Sequence, residues 1–177
     1  MPNKIIPIAS FVVLALAVMA TVFWAADSDT MAEEPIAAEA AVAAVDGEVV
    51  VYKSPTCGCC SGWVEHMREQ GYDVETVDIE DYAALAAKKT EHGVPNDLGS
   101  CHTTVVDGYT VEGHVPASVV ARLVKERPDI QGIAVPGMPI GSPGMEGPNP
   151  QPYDVIAFRQ DGSRAVYESV YPTGTDR

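Results

Sequence analysis

Three of the four cysteines fall within four consecutive positions, Cys57-Gly58-Cys59-Cys60, and the fourth, Cys101, directly precedes His102. A thiolate sulfur is both the nucleophile of disulfide exchange and a soft ligand for zinc, copper(I) and iron–sulfur clusters. The cluster therefore admits three chemistries. Two structural disulfides are one, with three possible connectivities. A thiol–disulfide oxidoreductase is the second, with Cys57 as nucleophile and Cys60 as resolving thiol at C-x-x-C spacing. Metal ligation is the third. Three thiols within four residues bridge poorly among themselves. Cys59 and Cys101 would lie close enough to a reactive dithiol to trap it in wrong disulfides. More thiols than a dithiol needs favours the metal.

Thiolates alone do not choose between metals, but the other soft donors do. His102 and His114 flank a short apolar stretch, and Met138 and Met145 sit in the segment Pro136-Gly137-Met138-Pro139-Ile140-Gly141-Ser142-Pro143-Gly144-Met145. A core methionine normally occupies a periodic apolar face, as Met67 does. Met138 and Met145 have no such face, so they serve either as ligands or as cover for a sheet edge. Thioether suits copper(I) and is of little use to zinc. His66, seven residues after Cys59, is a weaker candidate on the same helical face. His92 reads as a surface residue and Trp63 as core.

Local pattern predicts the elements that must position these groups. Val49 to Lys53 is a buried strand, and Ser54 to Cys59 a loop. Cys60 to Gln70 is a helix with Cys60, Trp63, Val64 and Met67 on one face, ended by Gly71. Tyr72 to Ile79 is a second strand. Asp81 caps a helix running to about Glu91, which Gly93 and Pro95 end. Thr103 to Val106 and Tyr109 to Gly113 form a hairpin about Asp107-Gly108. Pro116 opens a third helix with Val119, Val120, Leu123 and Val124 inward, stopped by Pro128. With six prolines between Ile133 and Pro152, no regular element is expected there. Tyr153 to Phe158 and Ala165 to Val170 flank Asp161-Gly162 as a last hairpin. Strand, helix, strand, helix, hairpin, helix is a βαβ half followed by a ββα half, an α/β fold of thioredoxin-like type with an added C-terminal β-hairpin. In that fold the Cys57–Cys60 loop and the loop before Thr103 lie side by side, which would gather all four thiols.

Composition bounds the partners. The 177 residues carry a net charge of -14, so no basic patch exists to hold nucleic acid. Asp27 to Glu48 holds seven acidic residues and no Lys or Arg and reads as a tether (27–48). Before it, Ile5 to Ala26 is a 22-residue run dominated by apolar side chains behind the single charge of Lys4. Residues 1–26 are long enough to span a bilayer. They equally suit a signal peptide with its core from Ile8 to Met19. Either way the body is expected outside the cytoplasm, periplasmic or tethered to the outer face of the membrane, with membrane contact only through a retained N-terminal segment. The core is expected over 49–132, with 133–177 completing the same domain.

Taken together, Tyr52-Lys53-Ser54-Pro55-Thr56-Cys57-Gly58-Cys59-Cys60, Ser100-Cys101-His102-Thr103, Gly113-His114-Val115-Pro116, Pro136-Gly137-Met138-Pro139 and Gly141-Ser142-Pro143-Gly144-Met145 resemble the CopG-like periplasmic copper-resistance proteins, long classed as a domain of unknown function. The resemblance spans about Val49 to Val170. It implies a thioredoxin-like fold, copper binding at the cysteine cluster, and copper handling outside the cytoplasm, with cycling between Cu(I) and Cu(II) as an open extension. Carried over by position, Cys57, Cys59, Cys60 and Cys101 are the implied ligands, supported by His102, His114, Met138 and Met145. Bridging thiolates would let four cysteines serve more than one copper. A copper efflux or carrier protein is the implied partner. The sequence departs from ordinary thioredoxins in lacking Trp-Cys-Gly-Pro-Cys. It also has Cys101-His102-Thr103-Thr104 where they place a proline before the third strand, which leaves generic disulfide exchange in doubt.

Overall fold

The structure, a computed structural model, describes residues 48–172. The expected leader (1–26) and all of the acidic linker except Glu48 lie outside the described residues. Strand β1 (Val49–Lys53) leads into helix α1 (Gly58–Glu69), then β2 (Val74–Asp78) and α2 (Tyr82–Glu91). A 3-10 turn at Asn96–Leu98 precedes β3 (Thr103–Val106) and β4 (Tyr109–Glu112). Helix α3 (Ala117–Glu126), β5 (Gly132–Ala134), β6 (Tyr153–Phe158) and β7 (Arg164–Val170) complete the chain. The seven strands form one mixed sheet in the order β2-β1-β3-β4-β5-β6-β7. β1–β2 and β4–β5 are parallel and the other neighbours antiparallel.

Strand alternation assigns the helices to faces. Val49, Val51, Val106, Val111, Ile133 and Ala157 share one face. They join Trp63, Val64 and Met67 of α1 and Val119, Val120 and Leu123 of α3 in the main core. Each buried Val, Ile, Leu or Met among them contributes about 1.5–3 kcal/mol, so this face anchors α1 and with it the cysteine-bearing turn. The opposite face carries Thr103 and Glu112, which are register partners, and both meet Lys89 of α2 there.

Several boundaries differ from those read in the sequence. Helix α1 begins at Gly58 rather than Cys60, because Cys57 acts as N-cap with its sulfur accepting the Cys60 N–H at 3.3 Å. Gly58 and Cys59 thus belong to the first turn of α1 rather than to a loop. β2 is shorter than Tyr72 to Ile79. Tyr72 turns into the core, where its hydroxyl donates to the Ala117 carbonyl. Asp81 caps α2 as expected, and Asp107 and Gly108 take positive φ at the β3–β4 turn. Val124 is only half-buried.

The expectation of no regular element between Ile133 and Pro152 is wrong at its start. β5 pairs in parallel with β4 and is buried throughout. Its first residue has to be glycine, since a Cβ on Gly132 would lie 2.0 Å from the Thr110 carbonyl oxygen. A three-residue strand beside a glycine and ahead of a proline-rich segment offers too little alternation for its period to be read. His92 is half-buried rather than on the surface, stacked on Tyr52 with ring centroids 5.2 Å apart.

Candidate metal centre

Strand β1 ends at Lys53, and the chain turns through Ser54–Thr56 so that the Cys57 N–H donates to the Ser54 carbonyl. This sets Cys57, Cys59 and Cys60 on the N-terminal turn of α1. The antiparallel β1–β3 pairing brings the start of β3, and the Cys101-His102 segment before it, to the same end of the sheet. His114 follows β4 by two residues and arrives there because β4 runs antiparallel to β3.

The geometry gathers six of the eight candidate ligands. Cys57 and Cys60 are joined as a disulfide, while Cys59 and Cys101 are free thiols. Two structural disulfides are therefore excluded in this state. Cys59 Sγ lies 3.5 Å from Cys57 Sγ and 3.8 Å from Cys101 Sγ. Cys101 Sγ is 2.9 Å from His114 Nε2 and 3.5 Å from His102 Nδ1. Donor atoms of Cys57, Cys59, Cys60 and Cys101 lie within 4.8 Å of one another, and so do those of Cys101, His102 and His114. Cys101 belongs to both groups and links them.

The protonation states follow from burial. His114 Nδ1 lies 2.8 Å from the Pro143 carbonyl, which can only accept, so Nδ1 carries the proton and Nε2 presents its lone pair to Cys101. Burial lowers the His114 pKa, with the Pro143 bond and Glu146 opposing. Burial, then the nearby His114, Lys89 and Lys53, lowers that of His102 much further. Both imidazoles are neutral, the form that ligates metal. Burial first, and then the adjacent Cys59, push the Cys101 thiol up to about 12, so it donates its S–H to His114. Cys101 precedes β3 rather than lying on the first turn of α1, so it does not share the helix N-terminus that Cys57, Cys59 and Cys60 occupy.

The donor set fits a soft metal on two observations. The buried His102 Nε2 has no hydrogen-bond partner, an unsatisfied polar atom of the kind that calls for a functional explanation. The second is the chemistry itself: thiols and neutral imidazoles with no carboxylate in either group. His102 is fully buried between Trp63, at 4.7 Å between ring centroids, and His114, at 5.1 Å edge-on. The Trp63 indole N–H is itself satisfied by the Val115 carbonyl at 2.8 Å, so Trp63 is core, as read.

The methionine-bearing segment closes over α1. Gly144 takes φ +79°, and a Cβ there would lie 2.4 Å from the Cys59 carbonyl oxygen and 2.6 Å from the Trp63 nitrogen. The segment is thus pressed against the cysteine turn, with half-buried Met145 next in the chain, while Met138 is 53% exposed. His66 is not brought into the cluster. Its Nε2 accepts the Ala117 N–H at 3.2 Å, serving the first turn of α3.

Sequence reasoning missed Pro143, whose carbonyl sets the His114 tautomer, and Glu112. The fully buried Glu112 carboxylate accepts from Lys89 Nζ, the Ser100 N–H and the Thr103 hydroxyl, each at 2.6 Å. It thereby holds the residue before Cys101. A carbonyl partner leaves no signature in a sequence. The glutamate's only signal was a charge at the end of a strand that has no other charged residue.

Sheet, helix turn and donor set together define an α/β protein with a thiol- and imidazole-rich candidate site for a soft metal. A family model described as "Protein of unknown function, DUF411" matches residues 98–145. Two solved structures described as "Copper resistance protein copG", forms 2 and 1, each match at 42% identity and a TM-score of 0.64. The matched region covers 71% of this chain and 98% of each of those chains. No curated protein matches. The chain belongs to the family of CopG copper-resistance proteins.

Proposed function

We propose that this chain is a copper-handling protein working outside the cytoplasm, and that it binds copper as Cu(I) through Cys59, Cys101, His114 and, once their disulfide is reduced, Cys57 and Cys60. The carrying observation is the convergence of the four cysteine sulfurs and two neutral imidazoles on Cys101. Membership of a family whose solved members are named for copper resistance supports copper as the metal. His102 is the further ligand suggested by its unpartnered Nε2. Met145 is the better placed of the two thioethers, with Met138 a ligand only if the exposed turn folds inward. Bound copper would supply a one-electron couple, Cu(I)/Cu(II), held by soft donors that favour the lower state.

The sheet order β2-β1-β3-β4 with α1 and α3 on one face supports a thioredoxin-like core over 49–132, to which the β6–β7 hairpin is appended. Among the described residues no helix is long and apolar enough to cross a membrane. The extracytoplasmic reading therefore rests on residues 1–26 as an export signal or anchor. A copper efflux or carrier protein is the partner we infer.

One observation favours a second reading. The Cys57–Cys60 disulfide is the oxidised form of a dithiol, as a thiol–disulfide oxidoreductase requires. An anaerobic Cu(I) titration of the reduced chain against a chelator of known affinity separates the two. Copper handling predicts at least one tightly held Cu(I) per chain, lost in Cys59→Ser and in Cys101→Ser. Failure to compete with the chelator, with a Cys57–Cys60 pair that cycles unchanged in Cys59→Ser, would make the chain a redox enzyme.

A further inference from the structure

A cleft of about 380 Å³ opens on the α2 side of the cysteine cluster. Cys57 and Cys101 lie on one side of it, and Tyr82, Leu85, Ala86 and Lys89 of α2 on the other. Its two walls differ in character. The α2 wall is largely carbon, and Tyr82 at its rim is 76% exposed with no core to cover. The opposite wall presents a disulfide sulfur. Of the two sulfurs in that bond, Cys57 borders the cleft, whereas Cys60 is fully buried and does not. Lys89, the cation on the α2 wall, is engaged by Glu112 at 2.6 Å, so the cleft offers no free charge to an ionic ligand.

We propose that this cleft is the entry site for a small-molecule thiol with an apolar body, which reduces the Cys57–Cys60 disulfide by attacking Cys57. The cleft volume suits a ligand of small-molecule size. The apolar wall faces the one accessible electrophilic sulfur, so a thiol whose carbon body packs on Tyr82 and Ala86 places its sulfur at Cys57. In the first step the incoming thiolate bonds to Cys57 Sγ and the Cys57–Cys60 bond breaks. Its electron pair goes to Cys60 Sγ, which then takes up a proton. Access rather than leaving-group quality selects the attacked sulfur: Cys57, the N-cap of α1, borders the cleft, while Cys60 is fully buried and its released thiolate is protonated. A second molecule of the thiol attacks the ligand's sulfur in the mixed disulfide. Cys57 is released as a thiol and the two ligand molecules leave as their disulfide. Two electrons and two protons pass from the small thiols to the protein.

This deepens the copper reading and rests on it in one respect: reduction is what frees Cys57 and Cys60 to act as ligands. The test contains no copper, so its failure and that of copper binding are distinguishable. The oxidised full chain is treated anaerobically with either 2-phenylethanethiol or 2-mercaptoethanol, quenched in acid over time, and analysed by mass spectrometry. Reduction by the aromatic thiol is expected to be about tenfold faster at equal thiolate concentration, the size expected for burying one phenyl ring. The trapped adduct is expected on Cys57. Ala86→Trp, on an exposed position inside the cleft, is expected to abolish that advantage. Ala83→Trp, exposed on the same helix and outside the cleft, should leave it intact. Tyr82→Ala removes bulk rather than adding it and should shrink the advantage without threatening the fold. Equal rates for the two thiols in the unaltered chain would overturn the proposal. So would an adduct on Cys60, or equal slowing by Ala83→Trp and Ala86→Trp.

Discussion

Replacing Glu112 with alanine strands three donors at once. The carboxylate is fully buried and accepts from Lys89 Nζ, the Ser100 N–H and the Thr103 hydroxyl, each at 2.6 Å. Breaking a buried ion pair by deleting one partner costs about 3–5 kcal/mol, and each orphaned buried donor about 1–3 kcal/mol. These terms overlap, and the Lys89 side chain is 19% exposed, so water can re-solvate its ammonium. The net expectation is about 4 kcal/mol. With a urea slope of roughly 2 kcal/mol per molar, the unfolding midpoint should fall by about 2 M at unchanged slope. Glu112→Gln keeps the shape and most hydrogen bonds but removes the counter-charge, so about half that loss is expected. Because Ser100 adjoins Cys101, both variants should also weaken the alignment of Cys101 with His114. Urea denaturation of the metal-free chain, followed by the fluorescence of buried Trp63, gives the first quantity. A loss below about 1 kcal/mol in Glu112→Ala would refute the reasoning, since a carboxylate holding the Cys101 segment cannot be deleted so cheaply.

Two other predictions follow from particular contacts. Gly144→Ala forces a left-handed residue and sets a Cβ against the Cys59 carbonyl and the Trp63 nitrogen. The segment should lift off α1 and release the Pro143 carbonyl from His114, with a loss of about 1–3 kcal/mol and weaker Cu(I) retention in chelator competition. Tyr72 and Tyr153 are both pushed up to about 12 by burial, with Glu168 adding to the effect at Tyr153. Their folded pKa values exceed that of an unfolded tyrosine, near 10. The unfolded state therefore releases these protons first, and stability should fall as pH rises from about 10 toward 12. Ultraviolet titration should show both tyrosines lagging the exposed ones, and coincident titration would contradict their burial.

Much of the framework was legible because it is local. The α1 face of Cys60, Trp63, Val64 and Met67 repeats at helical spacing, and those four are the buried residues of that helix. The Asp81 cap and the Asp107-Gly108 turn are set by side chains and φ preferences within a few residues. β5 was not legible, because its strand character comes from the β4 neighbour and from a close approach that only glycine permits. The start of α1 was misplaced because sulfur capping of a helix, by Cys57, has no strong sequence precedent to read.

The candidate site divides the same way. Residue type alone pointed to soft-metal chemistry: four thiols, two nearby imidazoles and two loop thioethers on a chain of net charge -14. Which thiols are paired, which imidazole nitrogen faces Cys101, that His66 serves α3 instead, and that a buried glutamate holds the Cys101 segment were decided only by the tertiary structure. Donor identity is a property of side chains. Donor geometry depends on how β1, β3 and β4 pair across the sheet and on carbonyls and cavities that no single residue encodes.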